Sequence, residues 1–342
     1  MIDTIKIYTE INKEIYDIVK SMAIVKSSID NSTKHIQYEI TNDHLEGSYS
    51  SSLSIRVDCG AKYGFADLGY CMEIEGSYHK IVKGYNSHNG YYDLEFISKS
   101  LIQMVELTYN IELPLYENWF IQRADIAICY DLNNQENVKS YINSLSRCNY
   151  PRRNAKFFYD ESLYLSGTTT TLKIYNKLLE FNKHDLKKFY NTSFDLFKYR
   201  DTIKGFIRFE CEIKKKTLLK LYKEKNIKIL NVNYEDLKKI WSEEFMKLLQ
   251  FIKNDLEIVR GREEVLERLQ NLYKPYKANA LFNFYCAIQL NGVKEIKRTY
   301  NKVTYYRHIK ELKQAKIDFS QSYKVEEVEI FRFNPFEYPE VI

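Results

Sequence analysis

The chain has 342 residues, of which 44% are hydrophobic and 28% charged, and a net charge of +5. That composition excludes a disordered chain, and no apolar run reaches the ~18 residues of a membrane span. The basic charge is concentrated: residues 291–316 and 214–228 each carry a net +6, which leaves −7 on the rest of the chain. Defined surfaces for a polyanion are the expected use of such patches.

The first strand is predicted to begin almost at Met1, with no secretory leader ahead of it. Six cysteines (Cys59, Cys71, Cys129, Cys148, Cys211 and Cys286) form no CxxC pair and no zinc-ligand spacing. A cytoplasmic protein with reduced thiols and no membrane partner is expected. Tyrosine is abundant, at 30 residues; it stacks on bases in some proteins, but its commoner use is packing strands.

In chain order, residues 3–9, 51–57 and 69–75 read as strands. The stretch 93–107 has helical period, with Leu94, Ile97, Leu101, Met104 and Val105 on one side. RADIAI at 123–128 is a strand, 135–146 a helix, and 156–165 a strand ending in Ser166-Gly167. It is close enough to TLKIYNKLLE at 171–180 to pair as a hairpin. Segment 181–204 reads as a short helix and loop before the strand GFIRFECEIKKK at 205–216. Many strands with interspersed helices and no βαβ rhythm predict an α+β domain around an antiparallel sheet.

From 217 onward helix takes over. Asn233 caps a helix whose Leu237, Ile240, Trp241, Phe245, Leu248, Leu249, Ile252, Leu256 and Val259 keep a 3.6-residue period. Gly261 interrupts it, 263–273 resumes, and Pro275 marks a boundary. The predicted division is a sheet domain over 1–226, a helical connector over 227–274 and a further region over 275–342. That last region gives the helix ALFNFYCAIQL, a turn at Asn291-Gly292, the helix VKEIKRTY and the basic helix KVTYYRHIKELKQAK. The pattern fits a helix-turn-helix with Lys302, Arg307 and Lys310 as DNA contacts and VEEVEIFRF at 325–333 as a wing. A solvated helical hairpin is the alternative.

Three strands carry an unusual polar face. Side chains alternate across a strand, so Thr171, Lys173, Tyr175 and Lys177 are expected on one face, opposite Leu172, Ile174 and Leu178. Arg208, Glu210, Glu212 and Lys214 share a face in the third strand, and Arg123 and Asp125 do so in the first. Two uses of these faces remain open. They form an active site for a phosphodiester, or they form a cross-strand salt-bridge ladder with Tyr175 as an ordinary strand tyrosine.

On these residues the chain resembles the gene II/X family of rolling-circle replication initiators of filamentous phages and related plasmids. The similarity runs from the opening Met1-Ile2-Asp3 to the closing FRFNPFEYPE. It includes CMEIEGSYHKIVKGYN at 71–86, the Arg-x-Asp strand, the Thr-Leu-x-x-Tyr-x-Lys-x-x-Glu strand and the Arg-Phe-Glu-x-x-Ile-Lys strand, the last three in that order. It implies an antiparallel-sheet endonuclease domain that nicks one strand at an origin, stays joined to the 5′ phosphate through tyrosine, and later religates. Asp125, Tyr175, Lys177, Glu180, Arg208 and Glu210 match the family pattern. No His-hydrophobic-His pair is present among the six histidines, so carboxylates would have to hold a metal.

A phenol with a pKa of ~10 needs help to attack, and Lys173 and Lys177 are expected to flank Tyr175, with Lys173 also an expected DNA contact. A Mg²⁺ or Mn²⁺ ion held by Asp125 and Glu210, with Glu180 as a further expected ligand, would polarise the phosphate. Glu180 has two other open roles, a supporting base or a helix N-terminal charge. Arg123 or Arg208 would clamp a phosphate oxygen. The expected partners are duplex and single-stranded origin DNA, together with a host helicase and polymerase. Two other functions stay open: a non-catalytic origin-binding initiator or repressor, and a metal nuclease that uses water.

Overall fold

Apolar and polar side chains alternate along much of Ile2–Ile11, Ser52–Cys59, Thr170–Asn176 and Phe206–Lys214, and a sheet with two unlike faces results. The computed structural model describes residues 1–29, 32, 36–46, 52–59, 69–145, 150–158, 161–189, 195–222, 227–256, 262–317, 319 and 340–341. Its elements are β1 (Ile2–Ile11), α1 (Lys13–Met22), β2 (Ile24–Ile29), β3 (Ile36–Glu46), β4 (Ser52–Cys59), β5 (Tyr70–Gly76), α2 (Tyr78–Lys83) and α3 (Leu94–Tyr109). Then come β6 (Phe120–Asp131), α4 (Gln135–Ser144), β7 (Asn154–Phe158), β8 (Ser162–Ser166), β9 (Thr170–Asn176), α5 (Lys177–His184), α6 (Leu196–Thr202), β10 (Phe206–Lys214) and α7 (Lys215–Tyr222). The rest is helical: α8 (Tyr234–Leu256), α9 (Arg262–Leu272), α10 (Pro275–Asn291), α11 (Val293–Thr299) and α12 (Lys302–Gln314).

The strands lie in one sheet in the order β2-β3-β4-β5-β1-β6-β10-β9-β8-β7, and every neighbouring pair is antiparallel. An antiparallel sheet within an α+β chain is thus what forms. One face is apolar. Ile128, Phe209, Ile174 and Leu163 stand in register across β6, β10, β9 and β8, and all four are buried. Helices α4 and α8 cover this face: Tyr141 and Phe245 pack on Phe209, and the Trp241 indole donates to the Phe209 carbonyl at 3.2 Å. Each such side chain contributes about 1.5–3 kcal/mol by leaving water, enough to fix the register and so to fix which residues face the other way.

The other face carries the polar rows. Tyr164, Lys173 and Glu210 form one row across β8, β9 and β10, while Ser162, Tyr175 and Arg208 form the next. Two details depart from the sequence expectation. The 156–165 segment is a hairpin of two strands, and TLKIYNKLLE changes from strand to helix after Asn176. Asn176 caps α5 by accepting from the Leu179 amide at 3.2 Å. Lys177 therefore opens a helix and does not continue the strand face.

The chain divides into two compact units. The first holds the described residues up to Lys247, with Glu340 and Val341; the second begins at Leu248. The division falls inside α8, whereas the sequence suggests boundaries at 226 and 274. The apolar stripe of α8 explains this, since Leu237, Trp241 and Phe245 are buried against the sheet unit. The second unit has its own core of Leu281, Phe284, Tyr285, Ile288, Tyr305 and Leu312 from α10 and α12. The expected wing strand at 325–333 lies outside the described residues.

Candidate active site

Three carboxylates from three strands converge on the polar face. Asp125 and Glu210 arrive there by strand parity, from β6 and β10. Asp3 arrives by a register shift: Ile2 pairs with Ile126 and Thr4 with Asp125, so one extra residue of β1 is accommodated at Asp3. Strict alternation would have put Asp3 beside Ile5 and Ile7 on the apolar face. All three acids are buried, and one oxygen of each lies within 4.8 Å of the others.

Each acid has a cation. The Arg208 guanidinium donates to Asp3 Oδ1 and, at 2.7 Å, to the Ser87 carbonyl. Arg123 forks onto Asp125, with Nε donating to Oδ1 at 2.7 Å and Nη2 to Oδ2, while its Nη1 donates to Glu75 at 2.8 Å. Lys173 donates to Glu210 Oε1 at 2.5 Å and lies 3.9 Å from Asp125. Burial opposes ionisation of Asp3, but Lys80 and Arg208 hold its carboxyl well below the usual range. Burial pushes Asp125 up to about 7, against the pull of Arg123 and helped by the Glu210 charge. Glu212, on the same face, meets Arg123 at 3.6 Å and stands outside the trio.

Tyr175 adjoins the trio. Its hydroxyl donates to Glu210 Oε2 at 3.1 Å and accepts from the Asn86 amide at 3.3 Å. Asn86 also donates to Glu180 Oε1 at 3.0 Å, and Lys177 donates to Glu180 Oε2 at 2.8 Å. Lys177 thus reaches Tyr175 through Glu180 and Asn86. Burial raises the Tyr175 phenol well above its ordinary value, and the main opposing influence is Arg208, its register partner across β9–β10. Of the two lysines expected to flank Tyr175, Lys173 shares its strand face with its ammonium on Glu210, while Lys177 opens α5 with its ammonium on Glu180. Glu180 stands apart from the trio, and Lys177 and Asn86 hold its carboxyl low despite burial.

Sequence reasoning missed Asp3, His79 and Asn86. His79 on α2 is fully buried, 3.6 Å from Asp3, with Nδ1 3.0 Å from the Ser77 hydroxyl and Nε2 3.4 Å from Asn86 Oδ1. Burial drops its pKa to about 3, so it is a neutral hydrogen-bonding wedge between Asp3 and Asn86. Arg208 ties this loop to the sheet. Arg208→Ala should lower stability by about 3–5 kcal/mol, because it strands Asp3 without its buried partner. Urea unfolding checks this, and a loss below ~1 kcal/mol would show that Lys80 suffices as the cation for Asp3.

Beside Tyr175 the face opens into a cleft of about 350 Å³ lined by residues of β7, β8, β9 and α5, among them Phe158, Tyr164, Tyr175 and Lys183. In the second unit, Lys302, Arg307 and Lys310 are exposed on α12. Asn301 starts this helix, accepting from the Val303 and Thr304 amides.

A family model for the N-terminal region of the phage gene II replication-associated protein matches residues 1–236. The chain belongs to this family. The match spans every strand of the sheet and all residues of the carboxylate and tyrosine cluster. Membership places the gene II-type chain among initiators of phage-associated rolling-circle replication, proteins that bind origin DNA. No curated protein matches the chain, and among the described residues no helix is long and apolar enough to cross a membrane.

Proposed function

We propose that this gene II-type chain is an origin nickase and religase whose nucleophile is Tyr175. One observation carries the reading: a tyrosine that lines an open cleft has its hydroxyl hydrogen-bonded to one member of a buried carboxylate trio. In the reaction, Tyr175 Oη attacks the scissile phosphorus and its proton passes to Glu210 Oε2. The bond from phosphorus to the 3′ oxygen breaks, leaving a 3′ hydroxyl once that oxygen is protonated and a 5′ phosphotyrosine on the protein. Religation is the reverse and needs no ATP, because the ester conserves the bond energy. Arg208 favours the phenolate from across the strand pair, and Asn86 fixes the direction of the hydroxyl. Lys177 and Glu180 act as positioning residues through Asn86.

An all-oxygen donor set suits Mg²⁺ or Mn²⁺. Opposite ligands of Mg²⁺ stand about 4.2 Å apart at ~2.1 Å bond lengths, so separations within 4.8 Å need only a small contraction. Asp3, Asp125 and Glu210 would hold the ion, which would neutralise charge developing on the phosphate. The Lys173 ammonium now lies against Glu210 and Asp125. Glu180, an expected ligand from sequence, is engaged elsewhere. The setting is the cytoplasm of a host cell, with a host helicase and polymerase extending the free 3′ end.

Labelled single-stranded origin oligonucleotide, incubated with protein and Mg²⁺ or Mn²⁺ and run on a denaturing gel, tests the reading. A protein-linked label is expected. Cleavage without linkage would indicate a water nuclease, and binding without cleavage a non-catalytic initiator.

Duplex recognition falls to the second unit, whose α11 and α12 are joined by a two-residue link and expose Lys302, Arg307 and Lys310. Replacing Lys302 or Lys310 by Ala should flatten the salt dependence of duplex binding by about 0.9 for each phosphate no longer neutralised. Arg307→Ala should in addition narrow the preference for origin over scrambled duplex. Titrations at two salt concentrations measure both effects, and unchanged preference in all three variants would move recognition to the sheet unit.

A further inference from the structure

We propose that the cleft beside Tyr175 seats the unpaired base of a nucleotide adjoining the scissile phosphate, with Phe158 and Tyr164 as its stacking walls. This rests on the reading of Tyr175 as nucleophile and goes beyond it by giving the single strand a specific seat.

The sheet register builds the cleft. Phe158 and Ser162 stand opposite one another on β7 and β8, and Ser162 pairs in turn with Tyr175 on β9. Tyr164 pairs with Lys173, the lysine on Glu210. Two aromatic rings therefore lie on the same polar face, one or two strands from the nucleophile. Helix α5 forms the opposite wall with Leu179, Glu180, Lys183 and His184. A phosphate placed for attack by Tyr175 leaves its neighbouring nucleotide over this cleft.

The chemistry of the lining suits a base. Phe158 keeps 48% of its surface exposed although its edge strand β7 lies in the sheet. Its ring meets Tyr164 edge to face, with centroids 6.1 Å apart, so a flat face remains for stacking. Aromatic faces hold single-stranded bases without regard to identity. Volume agrees: about 350 Å³ is near the lower end of ligand pockets, roughly 300–1,000 Å³, and holds one nucleotide-sized group but no duplex. Asn176, a lining residue only 1% exposed, has an amide Nδ2 without a hydrogen-bond partner, its Oδ1 being used to cap α5. A base carbonyl is the kind of acceptor that buried donor lacks. Lys156 and Lys183 line the same cleft, and the pair between Lys183 and Glu161 is exposed and weak, so Lys183 is available to a flanking phosphate.

The test compares two probes with the same phosphates: oligothymidylate and an abasic strand of equal length, each end-labelled and titrated in chelator so that no turnover occurs. The full chain should prefer the base-bearing strand. Phe158→Ala should cut that preference roughly 5- to 150-fold, as loss of one base-stacking partner does, and should leave affinity for the abasic strand unchanged. Phe158→Tyr should retain the preference, which separates stacking from damage to β7. Photocrosslinking with 5-iododeoxyuridine should label the peptide containing Phe158 or Tyr164. Wild-type behaviour of Phe158→Ala on both probes, or crosslinks only elsewhere, would overturn the proposal even if the covalent adduct still forms. The converse result, a base preference that depends on Phe158 in a protein that forms no adduct, would keep the base seat and overturn the nucleophile reading.

Discussion

Tyr175→Phe should abolish the covalent protein–DNA adduct and nicking while the protein still folds and binds origin DNA. The substitution removes one oxygen and keeps the ring, which is buried at 6% exposure. Two hydrogen bonds go with that oxygen, those to Glu210 and from Asn86. Glu210 keeps Lys173 and Asn86 keeps Glu180, so neither partner is left bare. The stability loss should therefore be about 1–2 kcal/mol, visible in urea unfolding but far from unfolding the protein. Chemistry has no such reserve, because the ring carbon cannot attack phosphorus. A denaturing gel with labelled origin strand gives the result. An adduct of normal yield in this variant would move the nucleophile elsewhere, first to Tyr164, which shares the cleft and pairs with Lys173.

The burial of Tyr175 sharpens this expectation. Its phenol is held protonated in the free protein, since burial outweighs the Arg208 charge. Proton removal must then be part of the reaction, and Glu210 Oε2 is the acceptor already in place at 3.1 Å. Glu210→Gln should consequently lose adduct formation as fully as Tyr175→Phe, although the nucleophile is untouched. Affinity for the origin strand should stay within a few-fold.

Much of this site is legible in the sequence because strand parity is rigid. Asp125, Lys173, Tyr175, Arg208 and Glu210 fall on one face for the same reason that Ile128, Phe209, Ile174 and Leu163 fall on the other: the period is 2, and burial of the apolar row fixes the register. Three things escape that rule. Asp3 has the parity of Ile5 and Ile7, and only the irregularity in β1 turns it to the acids; no local residue preference announces a bulge there. Alternation carried one residue too far puts Lys177 on the strand. Asn176 followed by an apolar pair at Leu178 and Leu179 is the helix-start signal that ends the strand before it. His79 and Asn86 sit on α2 and the loop after it, and their approach to Asp3 and Tyr175 is set by long-range packing that sequence spacing does not encode. The same holds for the cleft, which exists only once β7, β8 and α5 are folded against each other.

Divalent ions should be required for nicking, and their removal should be the second large effect. The donor trio is oxygen-only and buried, and two of its acids belong to strands whose apolar sides are locked in the core, so the ligands are held ready. Wild-type protein should lose cleavage in chelator and regain it with Mg²⁺ or Mn²⁺. Binding to the folded state alone should also raise the melting temperature, since ligand at a hundred times its Kd adds about 2.7 kcal/mol. Asp125→Asn, Glu210→Gln and Asp3→Asn should each abolish both the thermal shift and the cleavage. The Asp3 variant is the most informative of the three, because it distinguishes a three-acid site from the pair that strand parity alone would supply. A full thermal shift in Asp3→Asn would confine the ion to Asp125 and Glu210 and leave Asp3 as the anchor of Arg208. Full nicking in chelator would remove the ion altogether. The Lys173 ammonium, already 2.5 Å from Glu210 and 3.9 Å from Asp125, would then be the cation that steadies the phosphate, and Lys173→Met should abolish cleavage in its place.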